Sequence, residues 1–126
     1  MPTDAPTAPR APLPASILSQ GPNLIVSVHA ALDDEQLTRL QHELIERVGR
    51  DRSRGILIDV AALDVIDSFA ARTLADMAYM AQLRGARTVV VGIAPEVAIT
   101  LVRLGVRISM TQTALDLEEG LEWLGA

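Results

Sequence analysis

The spacing of apolar residues divides the chain into short β-type runs and longer helical segments. Two β-type runs, at residues 16–19 and 23–29, flank a Gly-Pro-Asn turn at residues 21–23, and this arrangement predicts a hairpin. Apolar residues then recur at intervals of three and four over residues 37–48, behind three consecutive acidic residues, as expected of a helix. We predict that this first helix ends near Gly49.

Apolar runs of strand length alternate with helical segments along the rest of the chain. Continuous apolar runs at residues 55–60 and 88–92 are typical of strands that are buried on both faces. Helical spacing predicts helices over residues 68–83 and 95–104, each with a glycine just past its end. The pattern also predicts a short last strand at residues 106–108.

The C-terminal segment predicts one more helix. Thr113 is placed to cap it, acidic residues occupy its early turns, and it extends through Leu124. A hairpin followed by alternating strands and helices indicates an α/β fold, with a mixed, mostly parallel β-sheet of four to five strands and about four helices packed on it. The central strands of this sheet are expected to be parallel and buried.

The N-terminal residues differ from the rest in composition. Residues 1–14 contain five of the seven prolines, together with alanine and threonine, and such a segment buries too little apolar surface to offset the entropy lost on ordering. We therefore expect a flexible Pro/Ala-rich tail over residues 1–14 and a single domain over residues 15–125, which is a common domain size.

Composition excludes several kinds of chemistry. The 126 residues include no cysteine and no lysine, since all eleven positive charges are arginine, and the net charge is -5. A Schiff base, a phosphate-binding lysine, a thiol nucleophile and a disulfide framework are therefore excluded. The acidic balance and the 2% aromatic content argue against nucleic-acid binding. No apolar run approaches the ~20 residues that span a bilayer, so we expect a cytoplasmic protein without a membrane role.

The ionisable residues offer few candidates for catalysis. His29 and His42 have no serine or carboxylate at a spacing that suggests a triad, so we expect structural or solvated roles for both. Asp59, Asp64 and Asp67 cluster between a buried strand and the next helix, at the strand end where open α/β sheets hold their sites. Three carboxylates there suit Mg²⁺ and leave a magnesium-dependent phosphoryl-transfer site as an alternative, although Asp67 also suits a helix N-cap.

Ser68 stands at the predicted start of the second helix. A serine there is first a helix-starting residue, and a helix N-terminus also favours a bound or covalently attached phosphate. Phosphorylation would add about -1.5 to -2 charges beside three aspartates. Arg72, Asp76 and Tyr79 follow Ser68 at helical spacing, on a stripe separate from the apolar side of the helix. The phosphate charge would therefore lie within the contact surface of any partner that docks on this stripe.

Four segments, residues 58–60, 65–69, 85–105 and 112–122, resemble STAS domains, the anti-sigma-factor-antagonist family. The resemblance extends over nearly all of the chain from Leu13 to Leu124. It implies the STAS fold and a protein that has no catalytic activity of its own. The sequence shows no cofactor site, so we expect neither a cofactor nor a bound metal ion.

The resemblance extends to the small scaffold members of this family in bacterial stressosomes, and it implies particular partners. Such proteins bind an RsbT-like serine kinase, are phosphorylated by it on the serine of an Asp-Ser motif and then release it, and a PP2C-type phosphatase removes the phosphate. They co-assemble with larger RsbR-like STAS subunits. Carried over to this chain, Ser68 is the phosphorylation site and Asp67 its flanking acid.

The same resemblance marks a second, weaker phosphorylation site and a binding surface. Thr100 matches a threonine that is phosphorylated in the larger subunits, although its helical position also suits a solvated residue. We expect the kinase-binding surface to include five residues of the second helix and its start: Asp67, Ser68, Arg72, Asp76 and Tyr79.

A free anti-sigma-factor antagonist, which binds an anti-sigma kinase when unphosphorylated, is the alternative within the family. Size-exclusion chromatography with an RsbR-like partner distinguishes the two, because only the stressosome protein forms a large co-complex. Alone, the chain is expected to be a dimer or another homo-oligomer.

Overall fold

The computed structural model describes residues 12–106 and 111–125. Five strands and four helices follow one another in the order β1 (Ala15–Gln20), β2 (Asn23–Val28), α1 (Asp34–Asp51), β3 (Gly55–Asp59), α2 (Ser68–Leu83), β4 (Arg87–Val91), α3 (Pro95–Arg103), β5 (Gln112–Ala114) and α4 (Leu117–Gly125).

The strands form one sheet in the order β1-β2-β3-β4-β5. β1 pairs antiparallel with β2, and the remaining neighbours are parallel, so that Leu57 of β3 lies between Ile25 of β2 and Val89 of β4. The mixed, mostly parallel sheet and the N-terminal hairpin predicted from the sequence are thus confirmed.

Helices cover both faces of the central strands. Ile56 and Ile58 of β3 point to the face that α1 and α2 cover, whereas Leu57 points to the opposite face and packs with Leu124 of α4. All three β3 side chains are fully buried. Burial on both faces explains why β3 is a continuous apolar run, because successive side chains of a strand point to opposite faces.

The start of α1 agrees with the predicted acidic N-terminus. The Asp33 carboxylate accepts a hydrogen bond from the Gln36 amide at 2.8 Å, and the Gln36 side chain accepts one from the Asp33 amide at 2.9 Å. This reciprocal capping satisfies two backbone donors that have no partner within the helix.

The end of α1 lies two residues beyond the predicted Gly49. The helix closes at Arg52, whose backbone is left-handed with a φ of 52°. Gly49 has a different role, because the Arg84 guanidinium lies where a β-carbon at Gly49 would be. The glycine leaves room for the Arg84 side chain, and it does not terminate the helix.

The C-terminal predictions need two corrections. The sequence predicts Thr113 as the cap of the last helix, but Thr113 lies in β5 and pairs with Val90. α4 begins four residues later, after Asp116, whose carboxylate accepts a hydrogen bond from the Glu119 amide at 2.9 Å. The predicted strand at residues 106–108 lies partly outside the described residues, and Val106 is not in a strand because its amide donates to Leu101 at the end of α3.

The predicted tail at residues 1–14 lies mostly outside the described residues. Leu13 packs against the core on the α1 and α2 side, and the Pro14 carbonyl accepts a hydrogen bond from the His29 amide at 2.8 Å. Among the helices of the described residues, none combines the length and the apolar content that crossing a membrane requires.

Gly120 offers a test of how tightly α4 packs on the sheet. A β-carbon at Gly120 would lie 2.6 Å from a Val91 methyl and 2.8 Å from a Leu57 methyl, both in the core. We expect Gly120→Ala to lower the free energy of unfolding by on the order of 1 kcal/mol, because overpacking outweighs the better helix propensity of alanine. Urea denaturation measures the change.

Gly125→Ala is the matched control in the same helix, because a β-carbon there meets nothing within 4 Å. Its effect should stay within about 0.5 kcal/mol. A Gly120→Ala variant as stable as the control would contradict the close packing of α4.

Candidate functional site

The connection from β3 to α2 lies at the carboxyl edge of the parallel strands. Asp59 ends β3, and its carboxylate accepts a hydrogen bond from the Ala61 amide at 2.9 Å. The Val60 amide donates to Val91 at 3.0 Å, so pairing with β4 continues one residue past the strand. Gly92 has a φ of +77°, and a β-carbon there would lie 2.7 Å from that of Ala61. These contacts anchor the first half of the connection.

Asp67 fixes the beginning of α2. Its Oδ1 atom accepts a hydrogen bond from the Ala70 amide at 2.8 Å, and its carbonyl accepts one from the Ala71 amide at 2.9 Å. This is the N-cap that the sequence allowed for Asp67, and such a cap satisfies donors that lack a partner within the helix. α2 therefore starts at Ser68, as predicted.

Ser68 is the first residue of α2 and is exposed. No hydrogen bond of its hydroxyl is formed within the described residues, and its neighbour Asp67 is already engaged by the helix backbone. The amides of the first turn of a helix point away from the helix and carry partial positive charge. An accessible hydroxyl at this position is sterically open to a modifying enzyme.

The three aspartates around Ser68 do not converge as a set of metal ligands. Asp59 and Asp67 accept backbone hydrogen bonds, while Asp64 is exposed in the loop. Over residues 12–106 and 111–125, no three acidic or histidine side chains converge as a metal-ligand set. The structure therefore provides no support for the magnesium-dependent alternative.

The predicted binding surface lies along one exposed side of α2. Arg72, Asp76 and Tyr79 are all exposed, with half of the Tyr79 side chain accessible, whereas Leu74 and Met77 are buried against the sheet. With a rise of about 1.5 Å per residue, the surface extends roughly 16 Å from Ser68 to Tyr79. The structure thus brings the predicted residues together on one helix.

Two apolar residues beside Ser68 were not singled out from the sequence. Val65 is 70% exposed in the loop, and Phe69 is 40% exposed in the first turn of α2. Phe69 lies off the buried stripe of α2, and that spacing could have indicated its exposure. Val65 lies in an irregular loop, where apolar spacing carries no comparable signal.

Thr100 is separate from the α2 surface. It lies in α3, half-buried, and its hydroxyl donates to the Glu96 carbonyl at 2.9 Å. α3 contacts α2 through Val97 and Leu101, which pack against Ala71. The Thr100 hydroxyl is therefore engaged in its own helix, unlike that of Ser68.

The histidines lie outside this site. His29 follows β2 and His42 is on the exposed side of α1. Within the described residues, neither side chain is hydrogen-bonded to a serine or a carboxylate, so no catalytic triad is assembled there.

The fold and the site together define a small α/β domain in which an exposed serine follows an aspartate helix cap at the carboxyl edge of the sheet. Residues 15–120 match the STAS domain family. The chain belongs to this family, as the sequence resemblance indicated.

Individual relatives agree with this assignment. The chain is 30% identical over 98 residues to the RsbT co-antagonist protein RsbRA of Bacillus subtilis strain 168, a match that covers 78% of the chain and 36% of the relative. The chain thus spans about a third of the length of that protein.

Two solved structures are also similar. RsbS of Moorella thermoacetica, in a form with glutamate in place of a serine, superimposes with a TM-score of 0.80 at 33% identity, covering 88% of this chain and 94% of the other. A chain of the stressosome, described as a signal integration and transduction hub, has a TM-score of 0.74 at 32% identity, covering 87% and 96%.

Asp67→Ala tests the role of Asp67 as the cap of α2. Loss of the carboxylate leaves the Ala70 amide without its acceptor, so we expect the free energy of unfolding to fall by about 1 kcal/mol. Urea denaturation measures the loss.

Asp64→Ala removes the same charge from a loop position where, within the described residues, the carboxylate makes no hydrogen bond. Its effect should stay within about 0.5 kcal/mol. Equal losses in both variants would point to general charge effects and would contradict the capping role.

Proposed function

We propose that this protein is a cytoplasmic, non-enzymatic scaffold of stressosome type that binds an RsbT-like serine kinase and releases it when Ser68 is phosphorylated. RsbR-like STAS subunits are its partners in a large assembly. A PP2C-type phosphatase returns Ser68 to the unmodified state.

The position of Ser68 is the observation that carries the proposal. The hydroxyl is exposed at the first residue of α2, directly after the Asp67 cap. A serine in the interior of the fold could not reach the active site of a kinase without local unfolding, whereas this one requires none.

The relatives support the same function. RsbS and the stressosome chain match this chain over most of their length at 32–33% identity, and the Bacillus subtilis relative is described as a co-antagonist of RsbT. These similarities favour an RsbT-like kinase and RsbR-like STAS subunits as the partners of this chain.

The proposed switch acts through charge and desolvation. The unmodified surface combines the apolar side chains of Val65 and Phe69 with the polar stripe of α2, a mixture typical of protein interfaces. A phosphate at Ser68 adds about two negative charges that stay hydrated and lie beside Asp67. Burial of that group against a partner is costly, so the kinase dissociates.

Variants of Ser68 test the switch. We expect Ser68→Ala to retain the kinase and to accept no phosphate, whereas Ser68→Asp weakens kinase binding on the order of tenfold, because it adds negative charge at the contact. Phosphopeptide mass spectrometry after incubation with the kinase identifies the modified residue, and calorimetry measures the affinities.

Thr100→Ala is the control for the second candidate hydroxyl, and it should leave both phosphorylation and release unchanged. Equal kinase affinity of the wild type, Ser68→Ala and Ser68→Asp would refute the switch. Phosphate found on Thr100 alone would move the modification site to α3.

Side chains of the α2 surface test where the kinase docks. Arg72→Ala and Tyr79→Ala should each weaken binding of the kinase by roughly tenfold, since arginine and tyrosine are frequent hot-spot residues at interfaces. Both are exposed, so the stability of the domain should hardly change.

Arg54→Ala is the matched control, because Arg54 is exposed just before β3, at the opposite edge of the sheet from Ser68. Its kinase affinity should equal that of the wild type. A loss at Arg54 as large as the loss at Arg72 would exclude α2 as the specific docking surface.

A further inference from the structure

An apolar cavity of about 140 Å³ lies directly beneath the loop that leads to Ser68. Ile58 of β3 and Val60, the first residue after the strand, line it on the side of the sheet, and residues 63–67 of the connection between β3 and α2 contribute four more lining residues. Helices α1, α2 and α3 supply the walls, among them Leu40, Met77 and Val97. Among the described residues that line the cavity, Asp67 alone is charged.

The walls determine what the cavity can hold. A buried water molecule needs two to four polar partners, and aliphatic side chains provide none. In contrast, an engineered protein cavity of roughly 150 Å³ with aliphatic and aromatic walls stays dry and binds benzene. A neutral, mostly apolar molecule therefore suits this cavity better than water or an ion.

Asp67 adds a single polar feature at the mouth. The exposed residues of the lining, Ala31, Val65 and Asp67, mark where the cavity opens. The Oδ1 atom of Asp67 is occupied by the Ala70 amide, while within the described residues its second carboxylate oxygen accepts no hydrogen bond. That oxygen has acceptor capacity left for an N–H or O–H group of an occupant.

We propose that this cavity is a binding site for a small neutral molecule, one or two fused rings in size, that carries one hydrogen-bond donor directed at Asp67. The proposal goes beyond the function proposed above and does not depend on it, because binding is a property of the isolated domain. Asp67 also caps α2, so an occupant lies against the turn that presents Ser68.

Indole and toluene are suitable probes, because both are small and apolar but only indole has a donor. Titration of the full chain is followed by two-dimensional amide NMR and by thermal unfolding. We expect saturable shifts at lining residues such as Ile58, Ile66 and Met77, and a melting temperature that rises with ligand concentration. Indole should bind about tenfold more tightly than toluene, because its donor meets a carboxylate.

Ala70→Leu fills the cavity from α2, and Ala98→Leu makes the same change at an exposed position of α3 that does not line it. We expect the first variant to lose binding of both probes and the second to retain it. Ala31→Phe blocks the exposed mouth and serves the same purpose if Ala70→Leu does not fold.

The absence of saturable shifts in the wild type up to the solubility limit of both probes would overturn the proposal. So would undiminished binding by a folded Ala70→Leu or Ala31→Phe variant. Equal affinity for indole and toluene would overturn the assignment of Asp67 as acceptor. None of these results bears on kinase binding, which is measured without either probe.

Discussion

Burial of β3 on both faces is the constraint on which the rest of the structure depends. Ile56, Leu57 and Ile58 are fully buried, and each such side chain contributes about 1.5–3 kcal/mol when it leaves water. The strand is stable only with neighbours on both sides and helices on both faces, which α1, α2 and α4 provide. The chain then has to leave the sheet at the carboxyl edge of β3, so the connection to α2 and its exposed serine lie there.

α2 both packs on the sheet and presents a surface to partners. Its buried side, through Leu74 and Met77, holds the helix on the sheet, while its other side remains open to partners. Both roles meet in the first turn, because the Asp67 carboxylate caps the helix and also lies beside the proposed phosphorylation site at Ser68. A charge added at Ser68 therefore acts where the helix backbone already attracts and holds an anion. The change in charge is local, but it falls within a surface that extends along the whole helix.

How far the sequence predicts the structure depends on how local each determinant is. The bounds of α2 are correct because its cap and its apolar stripe lie within the segment itself. The sequence places the end of α1 two residues too early because Gly49 resembles a helix-ending glycine, whereas the left-handed backbone that closes the helix lies at Arg52. Thr113 resembles a helix cap because threonine often caps a helix. Its actual position in β5 depends on pairing with Val90 of β4, and the residues around Thr113 do not encode that pairing.

The sequence by itself determined the order of strands and helices, the polar side of α2 and the Asp-Ser start of that helix. These features follow from side-chain periodicity and backbone hydrogen bonding over a few residues. Only the tertiary structure decided that Val65 is exposed in the loop before Ser68, and that the same loop covers an apolar cavity. Exposure and empty space depend on how separate elements pack, and that packing is set by contacts between residues far apart in the chain.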